Sequence, residues 1–376
     1  MKTAIVILNW NTEGFLRDFL PGLLHSAAQA DDAEVIVADN GSTDGSLELI
    51  KNEFPQVRTI ALNKNYGFTG GYNKAFEVLY GSQAEDAPEY FLLINSDIEV
   101  TDNWLKPLVD WMDSHPDCGA CAPKLHSWQD RDMFEYAGAA GGYIDALGYP
   151  FCRGRILKRL DKDKGQYDIP ADVLWATGAC LLVRSKVYKK LGGLDERFFA
   201  HMEEIDLCWR MQLEGWKVTV VPQSVVYHVG GGTLPATSPF KTLLNFRNNL
   251  LMLENNLAKT YALKLYKEGY SAAKAAGKGL REANRLISLR RILDSLACLA
   301  YMLSGKWKLA EAVEQASAEY LKLRKPAEIG QIVEYLEKSG GKAEVKGIYG
   351  RSMIITSLLN GAKVFEAIKE KDFIKI

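Results

Sequence analysis

Tyr90-Phe-Leu-Leu-Ile-Asn95-Ser-Asp97-Ile-Glu99-Val100 is an apolar run that stops at a carboxylate. A parallel strand buried on both faces reads this way, and its carboxyl end is where open α/β sheets place their ligands. Asn-x-Asp alone also fits a turn, since both residues favour turns. Two further segments repeat the pattern upstream. Ala4-Ile-Val-Ile-Leu-Asn9-Trp10-Asn11 is one, and Glu34-Val-Ile-Val-Ala-Asp39-Asn40-Gly41-Ser42-Thr43-Asp44-Gly45 is the other. Each is a strand-like run with polar residues at its end.

Between these runs the apolar spacing changes to a helical period. Strands are predicted over 3–9, 34–38, 57–62 and 90–95, with helices over about 12–28, 44–53 and 70–80. Such alternation implies a parallel sheet covered by helices on both faces. Asp44 or Ser42 is expected to cap the second helix, and Gly67-Phe-Thr-Gly70-Gly71 to open the third with backbone that can lie against a ligand. Residues 118–175 are less regular and read as loops or an antiparallel excursion. Val173 to Arg184 reads as a strand carrying Gly178, followed by a helix from about Lys186. Glu203, Glu204 and Asp206 then fall in the first turn of a helix running to about Glu214, where the helix dipole favours acids. Asp206 can also pair with Arg210 at the i, i+4 spacing. Past Pro235 the pattern is helical almost to the end, with Leu286, Leu289, Leu293, Leu296, Ala300 and Leu303 on one face.

The chain has 376 residues, 47% of them hydrophobic and 25% charged, as in ordinary soluble domains. That length has room for about two domains, which the pattern divides into 1–236 and 237–376. A formal net charge of -1 conceals an asymmetry: 24 Lys+Arg and 14 Asp+Glu lie in 240–376, against 22 and 33 in 1–239. No charged segment followed by an apolar one opens the sequence. The apolar stretch from Leu296 to Leu303 is far short of the roughly 18 residues that span a bilayer. A cytoplasmic protein is expected. Cys118-Gly-Ala-Cys121 has no second pair or nearby His to complete a zinc site, and reads as small residues in a buried strand. A dehydrogenase would carry Gly-x-Gly-x-x-Gly directly after its first strand. Leu8-Asn-Trp-Asn-Thr-Glu-Gly14 lacks it.

Taken in order, Asp39-Asn-Gly-Ser-Thr-Asp44, Asn65-Tyr-Gly67-Phe-Thr-Gly-Gly-Tyr-Asn73, Asn95-Ser-Asp97, Gly178-Ala-Cys-Leu-Leu-Val-Arg184 and Gly193-Leu-Asp195-Glu-Arg-Phe-Phe199 through Arg210 resemble the inverting family 2 glycosyltransferases of the GT-A fold. The likeness is to their bacterial rhamnosyltransferase and galactofuranosyltransferase branch. It covers about residues 3–232 and fades beyond 240 to Asn245-Phe-Arg247-Asn248. It implies a GT-A type Rossmann-like sheet, a nucleotide-sugar donor such as dTDP-rhamnose or a UDP-sugar, and a glycan or lipid-linked glycan acceptor. It also implies a magnesium or manganese ion that offsets the charge of the leaving diphosphate.

On this resemblance Asp97 and His228 are the metal ligands, and Asn95 stands where the family more often has Asp. Glu204 falls on the general base, at a position where Asp is usual, with Glu203 beside it able to share the role. Asn9, Trp10, Asp39, Gly41, Gly67, Asn73, Asn95, Ser96, Trp175 and Gly178 are expected to contact the donor. Asp39 would accept from the ring N–H of uracil or thymine, and Trp10 would stack on that base. The alternative is a non-catalytic sugar-binding or scaffolding protein, distinguished by loss of the acids at 97 and 204. The basic C-terminal helices are expected either to rest on the inner face of the plasma membrane or to pack against protein, including a second subunit.

Overall fold

The computed structural model describes residues 1–30, 32–81, 87–230 and 237–376. The predicted alternation is present: β1 (Thr3–Asn9), α1 (Glu13–Ala27), β2 (Ala33–Asp39), α2 (Ser46–Glu53), β3 (Arg58–Ala61), α3 (Gly67–Tyr80) and β4 (Tyr90–Ile94). After these come β5 (Ile98–Val100), α4 (Leu105–Ser114) and β6 (Cys118–Ser127). Short strands β7 (Gly142–Asp145), β8 (Pro150–Cys152), β9 (Arg155–Ile156), β10 (Arg159–Leu160) and β11 (Ala171–Asp172) follow. The front of the chain closes with β12 (Cys180–Arg184), α5 (Ser185–Lys190), α6 (Glu203–Leu213) and β13 (Lys217–His228).

The main sheet has the order β11-β13-β6-β12-β4-β1-β2-β3, with β5 on β13. β1 is parallel to β2 and β4, β2 to β3, and β6 to β13, while β12 runs antiparallel between β4 and β6. Six strands therefore share one direction. Their carboxyl ends lie along one edge. Register places Asn9 opposite Asp39, so the polar residues that end the apolar runs become neighbours. Pleating sends Ala4, Val6, Phe91 and Leu93 to one core and Ile5, Ile7, Tyr90, Leu92 and Ile94 to the other. Burying one such side chain contributes about 1.5–3 kcal/mol, and β4 buries every residue it has.

Several boundaries differ from expectation. The strand predicted from Val173 begins only at Cys180; before it, Gln212 Nε2 donates to the Val173 and Leu174 carbonyls at 2.8 and 3.0 Å, and Trp175 makes an isolated bridge to Gly142. Helix α2 is preceded by Gly45 rather than capped by Asp44 or Ser42. Asp44 instead accepts from the Ser46 and Glu13 amides at 3.1 and 3.0 Å, tying α1 to α2. Residues 118–175 resolve into β6 and β11 in the main sheet and β7 to β10 of a second, smaller sheet.

The C-terminal part comprises α7 (Pro239–Lys267), α8 (Ala272–Leu303), α9 (Trp307–Leu323), α10 (Ile329–Ser339), β14 (Ile348–Tyr349), α11 (Met353–Asn360), α12 (Val364–Ala367) and β15 (Phe373–Ile374). It is not helical alone, since β14 pairs with β7 and extends the second sheet to β10-β9-β8-β7-β14-β15. Pro235 and residue 236, at the predicted division, lie outside the described residues. The apolar stripe predicted on α8 is only partly inward. Ala276, Gly279, Ala283, Ile287, Arg290 and Asp294 form its buried face, whereas Leu289, Leu296 and Leu303 are exposed. Among the described residues no helix is long and apolar enough to cross a membrane.

Candidate active site

A cavity of about 410 Å³ opens at the carboxyl edge of the main sheet. Trp10, Gly67, Asn95, Ser96, Asp97, Gly178, Glu203, Glu204 and His228 all line it. The reason is topological. β1, β4 and β13 end at this edge, and α6 begins there.

Asp97 and His228 are both buried. Asp97 Oδ1 stands 3.2 Å from His228 Nε2, and Oδ2 accepts from the Gly230 amide at 3.2 Å. On the far side of the ring, His228 Nδ1 is 3.4 Å from Glu135 Oε1. Burial works to lower the imidazole pKa, but the two carboxylates outweigh it and raise it to about 10. Burial likewise acts to raise the Asp97 pKa, and the histidine reverses this and holds it below the usual range. Two donors at about 2.1 Å from one octahedral cation stand about 3 Å apart, so the Asp97–His228 spacing suits a shared ion. Glu135 sits where the group that orients a metal-binding histidine is normally found, although Nδ1 makes no hydrogen bond in good geometry. No group of three His, Cys, Asp or Glu among the described residues could hold a metal on its own, so the remaining ligands would have to be oxygens from elsewhere.

The second feature is the start of α6. Glu203 is almost fully buried and Glu204 half-buried, and one carboxylate oxygen of each lacks a hydrogen-bond partner. Burial raises the Glu204 pKa to about 7, against the opposing pull of the amides of Glu204, Ile205 and Met202. Burial, and then the charge of Glu204, push the Glu203 pKa well above the usual carboxylate range. Asp206 has a different task. Fully buried, it takes Arg210 Nε at 2.7 Å and the amides of Asn255 and Asn256 at 2.9 Å.

Leading into α6, Phe199, His201 and Met202 have φ of 63, 69 and 71°, a left-handed conformation that costs energy in non-glycine residues. Strain of this kind persists only where neighbours impose it. Asn248 does so: its side-chain amide donates to the carbonyls of Phe198, Ala200 and His201 at 2.9, 2.7 and 2.8 Å. Arg247 adds a bond to the Phe198 carbonyl at 2.9 Å. The Phe199 carbonyl in turn accepts from the Phe68 and Thr69 amides, joining the loop to the start of α3. Asn248→Ala leaves these buried carbonyls short of a donor. The expected result is a loss of about 1–3 kcal/mol, read as a lower melting temperature, together with a lower turnover because the Glu204 approach relaxes.

Other expected site residues, Gly67 apart, lie behind the cavity wall. Asn9 is fully buried and donates to Asp39 Oδ1 at 2.8 Å. Asp39 Oδ2 accepts from the Ser42 amide at 3.0 Å. Gly41 turns the chain against Lys64, whose backbone a Cβ would meet at 2.6 Å. The backbone freedom of Gly67 serves the fold rather than a ligand, since a Cβ there would lie 2.5 Å from the Phe199 ring. Asn73 is drawn away from the cavity, accepting from Tyr188 Oη and the Leu194 amide at 2.6 and 3.0 Å and donating to the Leu194 carbonyl at 2.8 Å. Trp175 is a core residue: it is 2% exposed, with Nε1 on the Tyr143 carbonyl at 3.0 Å.

Residues missed by sequence reasoning include Glu135, Asn248 and His201. His201 lines the cavity with Nε2 buried and without a hydrogen-bond partner, and burial with the Lys241 charge lowers its pKa to about 4. Only Asn248 had a signal, as the last residue of the Asn245-Phe-Arg247-Asn248 motif.

A family model for glycosyl transferase family 2 matches residues 4–192. The match ends ahead of Glu203, Glu204 and His228. The N-acetylglucosaminyl-diphospho-decaprenol L-rhamnosyltransferase of Mycobacterium tuberculosis is 30% identical over 236 residues, which cover 60% of this chain and 75% of that protein. Rhamnosyltransferase WbbL of Escherichia coli is 25% identical over 232 residues, covering 60% and 82%. Among solved structures, a mannosyltransferase of Pyrobaculum calidifontis in complex with GDP-Man and Mn2+ is 12% identical with a TM-score of 0.48, over 86% of this chain and 88% of that one.

Proposed function

This chain belongs to glycosyl transferase family 2, and on that premise we propose that it moves a sugar from a nucleotide-diphosphate donor, dTDP-rhamnose or a UDP-sugar, to a hydroxyl of a glycan or lipid-linked glycan with inversion at the anomeric carbon. One observation carries the reading. A half-buried carboxylate with an unpartnered oxygen, Glu204, shares one cavity with the Asp97–His228 pair.

In this reading Glu204 takes the proton from the acceptor hydroxyl as its oxygen attacks the anomeric carbon and the bond to the diphosphate breaks. A base with a pKa near the working pH is the most effective. Asp97 and His228 would hold a divalent cation, magnesium or manganese, which offsets negative charge on the departing diphosphate. Trp10, exposed at the rim, is available to stack on the base of the nucleotide. Asp39, buried with both carboxylate oxygens already accepting, shapes with Asn9 and Gly41 the turn behind the base site. Asn95, Ser96, Gly67 and Gly178 border the space left for ribose and sugar, and the neutral His201 ring offers a hydrogen bond to a sugar hydroxyl. Residues 1–236 form the catalytic part in this assignment and 237–376 brace it, at the cytoplasmic face of a membrane where lipid-linked acceptors are met. The non-catalytic alternative gains nothing from the site, because a sugar-binding protein has no use for a base held near neutrality.

The deciding experiment is incubation of the purified protein with a panel of nucleotide sugars and acceptors, with and without manganese, assaying nucleotide release. Release that needs both an acceptor and the metal supports the reading, and no release from any donor refutes it. The pH profile adds a second test. Glu204 acts only when deprotonated, so kcat/KM should rise with pH and level off above about 7. Glu203 and Glu204 titrate as a pair, and the observed value belongs to both. A flat profile from pH about 5 to 8 would contradict a carboxylate base in this environment.

A further inference from the structure

The outward face of α8 carries Leu289, Ile292, Leu296, Leu299 and Leu303, spaced three and four residues apart, and all are 41–81% exposed. Trp307 continues it across the turn into α9, at 61% exposed. A contiguous apolar stripe of this length on a soluble surface marks an interaction site. This face is opposite the one that packs on α7, and none of its residues belongs to the cavity.

The charges around the stripe have one sign. Between Glu282 and Glu311 the single acid is Asp294, which is buried against Arg290 at 3.2 Å. The cations are Arg285, Arg291, Lys306 and Lys308, with Lys306 and Lys308 flanking Trp307 on the exposed turn. Arg285 alone has an acidic partner, Glu282 at 2.7 Å. Along the edge of the stripe lies a pocket of about 250 Å³ lined by Asn284, Ile287, Ser288, Arg291, Tyr320 and Arg324, of which Arg324 is already paired with Glu254 at 2.9 Å. Arg291 Nε is buried there without a hydrogen-bond partner. The Arg291 guanidinium, with an amide and a hydroxyl beside it, suits a phosphate.

We infer that the α8–α9 face docks on an anionic lipid bilayer, with the leucine stripe and Trp307 in the interfacial region, Lys306 and Lys308 among the headgroups and a lipid phosphate at Arg291. A tryptophan between lysines at the end of an amphipathic helix is suited to that boundary. A second copy of the chain fits less well. Antiparallel pairing of two α8 helices about Leu296 would set Lys306 and Lys308 against Arg285, and parallel pairing would set each cation against itself. In the antiparallel case the nearest acid is Glu282, which Arg285 already engages, and in the parallel case it is Glu311, one turn beyond Lys308 on its own helix.

Docking there would also orient the enzyme. Ala312 and Ala316 of α9 pack with Leu243 and Leu244 against Phe199 and Ala200, which line the cavity. Trp307 is about 8 Å from Ala312 along the helix axis. The membrane-facing turn and the cavity wall are therefore two ends of one short rigid element. This deepens the proposed function, on which the lipid-linked acceptor rests.

Vesicle flotation of the full chain tests the inference without requiring catalysis. Phosphatidylcholine vesicles containing phosphatidylglycerol should retain the protein at low salt, and phosphatidylcholine alone should not. Each basic residue at an anionic surface is worth about fivefold in partitioning, so Lys306→Glu with Lys308→Glu should weaken retention by well over an order of magnitude. Leu303→Ser with Trp307→Ser should do the same while keeping the melting temperature and transfer to a water-soluble acceptor. Failure of anionic vesicles to retain the wild-type protein overturns the docking and leaves the glycosyltransferase reading standing. So does a solution dimer that the Leu303→Ser, Trp307→Ser variant abolishes, because the face would then belong to a second copy. Absence of transfer to any acceptor, with retention intact, would sink the enzyme reading instead.

Discussion

Replacing Glu204 with Gln is expected to lower turnover by about 10²- to 10⁴-fold, the usual contribution of a general base, while donor affinity stays near wild type. The substitution keeps the shape of the side chain and its place at the start of α6, and removes the basic oxygen. Gln also relieves the cost of a buried carboxylate, so the variant should melt no lower than wild type at neutral pH. Steady-state kinetics with calorimetry of donor binding separate the outcomes. If Glu203→Gln abolishes transfer and Glu204→Gln spares it, the two acids exchange roles. Glu203 is deeper, so it is expected to support the pair rather than to take the proton.

The second large effect concerns Asp97 and His228. Asp97→Ala or His228→Ala should remove the part of UDP or dTDP affinity that depends on manganese, leaving the metal-free affinity unchanged, as measured by calorimetry. Glu135→Gln should give a milder version, with a 10- to 100-fold loss typical of groups that orient a metal-binding histidine. Equal metal-dependent affinity in wild type and Asp97→Ala would show that the ion, if bound, is held by other groups.

The contrast between these residues shows what a sequence can disclose. Asp97 and Asp39 were legible because each ends an apolar run, and parallel strands deliver their carboxyl ends to one edge. Glu203, Glu204 and Asp206 were legible as acids in a helical first turn, and the Asp206–Arg210 pair followed from helical spacing alone. Glu135 gave no signal, because it lies in the irregular stretch after β6 and reaches His228 only through the pairing of β6 with β13. Trp175 and Asn73 misled for a related reason. Each sits beside motif residues in the chain, yet Trp175 turns into the core over Gly142 and Asn73 ties down the turn at Leu194. The α8 stripe was legible as amphipathic, but periodicity cannot say which of two apolar faces meets the protein. Small residues at 276, 279 and 283 allow close packing on α7, where a Cβ on Gly279 would come within 2.6 Å of Ala262, and the leucines are left outside.

The claim at the centre of this account is that an acceptor hydroxyl, deprotonated at Glu204, displaces the nucleotide diphosphate from the opposite face of the sugar. Proton NMR of the product formed from a nucleotide sugar of known anomeric configuration measures this directly. The account predicts that the first-formed glycoside has the configuration opposite to the donor. A first-formed product with the donor's own configuration would contradict it.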